Sequence, residues 1–115
     1  MTADQFRSLA LSLDGVIESS HMGHPDFRAN GKIFATLHYP DESWGMVKLS
    51  HPDQQRLVES KPEVFVPVKG SWGLQGSTNV RLQAVSPDLL EHALHLAWEQ
   101  SAAPSDRKSA SKNAR

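Results

Sequence analysis

The sequence predicts a two-layer α+β domain, an antiparallel sheet with helices on one face, in the order α, three or four β, α, two β, α. Three observations point there. Apolar residues recur at helical spacing near both ends of the chain and once in its middle, and they alternate at a period of two in between. Asn30-Gly31 stands between two alternating runs, and both residue types tolerate the positive φ of a two-residue type I′ hairpin. Ser and Thr residues stand one to three positions before the Pro, Asp or Gln that open helices.

Thr2 with Gln5 three positions later is a capping box, and Asp4 favours the positive end of the helix dipole. Phe6, Leu9, Ala10 and Leu13 then fall on one face, so the first helix is expected over residues 3–13, stopped by Asp14-Gly15. From Val16 to Leu49 short strands follow, with turns at Asn30-Gly31 and at Pro40 to Ser43. Ser50, Pro52 and Asp53 open a helix over 51–60 with Leu57 and Val58 as its apolar stripe. Val64 to Val68 is a strand confined to an edge or bulge by Pro67, which cannot donate to a ladder. Three glycines in the nine residues from Lys69 to Ser77 are too many for a regular element. Val80, Leu82 and Ala84 alternate as a further strand, and Ser86-Pro87 opens a last helix carrying Leu90, Ala93, Leu94, Ala97 and Trp98 on one face.

The length fits one domain, expected over residues 1–100, with 101–115 as a disordered basic tail that lacks apolar periodicity. With no cysteine, the chain has no disulfide, thiolate metal site or cysteine nucleophile. Asp4 and Arg7 interrupt the apolar positions of the N-terminus, and no run is long enough to span a membrane, so a cytoplasmic location is expected. Charge is unevenly spread. Residues 101–115 hold four basic residues and one acid, net +3, whereas residues 1–100 hold eight basic and twelve acidic, net −4. Nucleic-acid binding by the folded part therefore needs a local basic face.

The runs Ser20 to Arg28, Gly31 to Ala35, Val47 to Leu49, Phe65 with Pro67, Trp72-Gly73 and Gly76 to Leu82 resemble the MmcQ/YjbR-like family over about residues 3–100. Members often carry a second aromatic after the glycine at the Gly76 position, where this chain has Ser77. The resemblance implies helices against one antiparallel sheet and DNA binding through two projecting hairpins, a double wing. The first wing is the Asn30-Gly31 hairpin with Arg28 and Lys32, and the second is the segment from Lys69 to Thr78 leading to Arg81. The candidate DNA-binding residues are accordingly Arg28, Asn30, Lys32, Lys48, Lys69, Ser71, Trp72, Gln75, Thr78 and Arg81, the groups that meet phosphate or stack on bases. The plainer reading of the cations is that they keep edge strands soluble. Trp72 among glycines is expected to fold back and anchor its own loop.

Catalytic chemistry finds little purchase. The glycine spacing at 70, 73 and 76 is neither a dinucleotide fingerprint nor a P-loop, and no nucleophile elbow is present. His21 with His24 and Asp26, and His92 with His95, give only pairs of imidazoles where a metal needs three or four convergent donors. The expectation is a non-catalytic DNA-binding module without metal or cofactor. The alternative is a protein-interaction or chaperone-like module, since partner-binding proteins use the same order of elements.

Overall fold

The computed structural model describes residues 1–39 and 41–102; of the tail expected over 101–115, the part from 103 onward lies outside the described residues. Helix α1 (Ala3–Leu11) starts on the expected capping box, with Gln5 N donating to Thr2 Oγ1 at 3.1 Å and Thr2 N to Gln5 Oε1 at 2.8 Å. It ends two residues earlier than its apolar spacing suggests. Strands β1 (Val16–His21), β2 (His24–Ala29), β3 (Lys32–Leu37) and β4 (Trp44–Lys48) follow as a meander. Asn30 and Gly31 have φ of 56° and 76°, the left-handed pair of a type I′ turn. A second such turn joins β1 to β2 at Met22-Gly23, with φ of 51° and 81°. Helix α2 (His51–Ser60) is capped by Ser50, whose Oγ accepts from Asp53 N.

Beyond α2 come β5 (Phe65–Pro67), α3 (Ser71–Leu74), β6 (Ser77–Arg81) and α4 (Pro87–Ala102). The glycine-rich segment thus holds a single helical turn where an irregular loop was expected. Gly73 explains it: a Cβ there would collide with the Val68 carbonyl, so only glycine lets the turn lie against the chain leaving β5. The last strand lies earlier than the alternation of Val80, Leu82 and Ala84 suggests, because Ala84 N and Val85 N both turn back to the Arg81 carbonyl. Helix α4 continues through Ala102, two residues past Gln100, with Ser101 buried.

The six strands form one antiparallel sheet in the order β1-β2-β3-β4-β6-β5, which leaves the strand carrying Pro67 at an edge as expected. Its two faces are unlike. Phe27, Ala35, Val47, Val80 and Phe65 point to one side, where Phe6 of α1 and Leu90, Leu94 and Ala97 of α4 complete a continuous apolar core. Phe6 lies so close over Gly45 that a Cβ there would stand 2.6 Å from its ring. On the opposite side a single row crosses the whole sheet through paired residues Ser19, Asp26, Thr36, Met46, Asn79 and Val66. This second face, covered by turns and not by long helices, is where the polar chemistry gathers.

Candidate functional site

Asp26 sits fully buried on that row, and three hydrogen bonds hold it. Arg28 Nε donates to Oδ1 at 2.8 Å and Arg28 Nη2 to Oδ2 at 3.2 Å, while His21 Nδ1 lies 2.7 Å from Oδ2. A buried charge is stable only when paired in this way. The hydrogen-bonded Arg28 guanidinium holds the Asp26 carboxyl below its ordinary value; burial pushes the other way, and His21 adds to the lowering. Arg28 can reach back along its own strand because residues two apart in a strand share one face, and β2 pairs with β1 without a break across this stretch.

Two concavities flank this carboxylate. Arg28, Gly31, Lys32, Ile33 and Lys48 line the first, of about 500 Å³, together with Gln100 and Ser101 at the end of α4. Gln100 Nε2 donates to the Lys48 carbonyl at 3.4 Å, which joins the helix end to β4. Lys32 and Lys48 make no ion pair among the described residues, and no carboxylate lines the hollow. Three candidates that span 20 positions of sequence are therefore brought together beside the Asn30-Gly31 turn.

The second concavity, of about 420 Å³, opens on the crossing row between the β1–β2 turn and α3. Thr36, Met46 and Asn79 form its floor; His21, Met22, His24, Tyr39, Val68, Lys69 and Trp72 surround them. Trp72 is 61% exposed, contrary to the expectation that it would anchor its own loop. The anchor is its neighbour Gly73, whose backbone packs down and leaves the indole standing at the rim. Two atoms here are buried without a protein partner among the described residues: His24 Nδ1 and Asn79 Oδ1.

The other candidates are dispersed. Thr78 is fully buried on the core face, its hydroxyl donating to the Gly76 carbonyl and accepting from Gln54, so it cannot touch DNA. Arg81 lies toward the other end of the sheet, 4.4 Å over the ring of Trp44 with Nε donating to the Glu63 carbonyl. Ser71 and Gln75 are exposed on and just after α3, which is a packed turn and not a projecting hairpin. Lys69 borders the second concavity, away from Lys32 and Lys48. Among the described residues no three His, Asp or Glu side chains converge as a metal site. His24 instead packs edge-on to Tyr39, and His95 lies over Trp98 and 3.4 Å from Glu99. Sequence reasoning missed the second concavity, because Asn79, Met46 and Thr36 become neighbours only through strand pairing.

The family model described as YjbR matches residues 11–100, most of the described domain. The chain belongs to the YjbR family. No curated protein matches it significantly by sequence. The crystal structure of a Deinococcus radiodurans protein with a DUF419 domain is similar in fold, with a TM-score of 0.73 over 93% of this chain and 86% of that one at 17% identity. At that identity the likeness of the YjbR chain to its neighbour concerns the path of the backbone alone. No helix among the described residues is long and apolar enough to cross a membrane.

Proposed function

We propose that this YjbR-family chain is a non-catalytic DNA-binding module whose phosphate contacts come from Arg28, Lys32 and Lys48. One observation carries the reading: these three cations, separated in sequence, line one hollow that no carboxylate shares, in a domain whose first hundred residues are net negative. Local convergence of that kind is what phosphate neutralisation needs when the global charge opposes it. Arg28 donates two of its groups to Asp26 and is thereby held in one orientation, with Nη1 unengaged among the described residues. Helix α4 ends at the same hollow, with Gln100 and Ser101 in its lining.

Three or four phosphate contacts give a slope of log K against log salt of about −3, and removing one contact lowers it by about one unit. Binding of a labelled duplex, followed by anisotropy at several salt concentrations, checks this. Lys32→Glu with Lys48→Glu is expected to weaken binding more than truncation after Ala102. Loss of binding on truncation alone, with the double variant unaffected, would remove the hollow from the DNA-binding site. Absence of binding even at low salt favours the protein-interaction reading, for which exposed Ile17 and Leu74 are the supporting observation.

A further inference from the structure

We propose that the second concavity is a nucleobase pocket, and this goes beyond the reading of the basic hollow because the two share no lining residue. Its volume of about 420 Å³ suits a small ligand, and small-ligand sites combine apolar walls with a few convergent polar groups. The walls here are flat or polarisable: the Trp72 indole, the Tyr39 ring and the thioethers of Met22 and Met46, groups that pack against the faces of planar rings. The Asn79 amide is on the floor, and a carboxamide can offer a donor and an acceptor to the edge of a base.

The polar side chains of the lining bear on the ligand class. His24 Nδ1 and Asn79 Oδ1 are buried with no partner among the described residues, an unfavourable condition for any polar group. An acyl chain or an aliphatic side chain entering the hollow would match neither the Asn79 carboxamide nor the His24 imidazole of the lining, whereas a nitrogen heterocycle offers donors and acceptors in its own plane. Lys69 at the rim supplies one cation, suited to a single phosphate attached to the ring's sugar.

Two left-handed residues frame the mouth. Met22 holds a left-handed conformation with φ of 51° although it is 90% exposed, and His38, next to Tyr39, is left-handed with φ of 69°. At Met22 the two-residue turn between β1 and β2 requires it, whereas His38 lies in the longer connection from β3 to β4, and non-glycine residues held in that region gather at ligand sites. Trp72, for its part, is presented by a turn pinned through Gly73, so stacking on it demands little ordering.

The test titrates the four deoxynucleoside monophosphates and a short single-stranded oligonucleotide into the intact protein, read by amide chemical shifts and calorimetry. Shifts are expected at Thr36, Met46 and Asn79. Trp72→Ala, at an exposed position that leaves the core intact, should weaken every monophosphate about tenfold. Asn79→Leu removes an unpaired acceptor, so the variant should melt no lower than the parent while losing discrimination among the bases. Lys32→Glu with Lys48→Glu should leave monophosphate binding unchanged, which separates this pocket from the basic hollow. Tighter binding of the single strand than of any monophosphate identifies an unpaired base in a strand as the source; equal or tighter binding of a monophosphate identifies a free nucleotide. Failure of all these ligands to bind at millimolar concentration, or binding that Trp72→Ala leaves untouched, overturns the proposal.

Discussion

Gly31 has a φ of 76° with nothing within 4 Å of where a Cβ would stand, so a side chain there meets a backbone penalty and no clash. Gly31→Val should therefore cost on the order of 1–2 kcal/mol in urea unfolding, while Gly31→Asn should cost clearly less, since asparagine enters the left-handed region more readily. Equal losses for both variants would contradict that origin. Asp26 gives a second test through pH. Its pKa is lowered in the folded state, so the stability it contributes is present above the ordinary carboxylate value of 3.8 and is lost as pH falls through the lower folded value. Asp26→Ala should cost about 3 kcal/mol at neutral pH, by removing hydrogen bonds to charged groups, and the gap between variant and parent in unfolding free energy should close in acid. At this scale the sequence was legible where a residue type has one strong local meaning: Thr2 with Gln5, Asn30-Gly31, Ser50 and Pro67 all do what their chemistry favours. It was illegible at Met22, because methionine carries no turn signal and its conformation follows from the pairing of His21 with His24 across the turn.

Among the elements, α3 departs furthest from expectation, and Gln54 shows why. This side chain is buried, and its amide nitrogen lies 2.9 Å from the Gly73 carbonyl, 3.2 Å from the Ser77 carbonyl and 3.1 Å from Thr78 Oγ1. Helix α2 thus grips the glycine-rich turn through one polar group that sequence periodicity reads as surface. Gln54→Leu should destabilise the domain by about 1 kcal/mol, because the Gly73 and Ser77 carbonyls lose one donor while each keeps a backbone one, from Gly76 N and Val68 N. The same change should loosen the turn carrying Trp72, read as faster amide exchange at Gly73 and Gln75; protection unchanged from the parent would place the restraint elsewhere. The candidate cations divide for an equally physical reason. Arg28, Lys32 and Lys48 meet because β2, β3 and β4 are neighbours near the Asn30-Gly31 turn, whereas β6 carries Arg81 toward the other end of the sheet. A resemblance can name the residues of a binding surface, but only strand order decides which of them share it.

For the molecule as a whole, the alternation of the central segment was enough to predict an antiparallel sheet with a helical layer, and the order of elements followed except for α3. Sequence could not foresee that the face away from the long helices would itself enclose a buried carboxylate and a hollow, since Asp26, Thr36, Met46 and Asn79 lie on four different strands. The two rims of this sheet also differ. At one rim β5 is three residues long and ends in Pro67, so it offers little to pair with. At the other rim β1 runs for six largely exposed residues without a proline, its Glu18 already engaged by Arg7 at 3.0 Å. A ribbon with one receptive border and one closed border can be doubled but not extended: two copies joined along β1 by a twofold axis consume the receptive border of each and terminate growth. Any self-association at high concentration should accordingly stop at two chains in sedimentation velocity, and a ladder of larger species would mean that the proline-bearing rim is receptive as well.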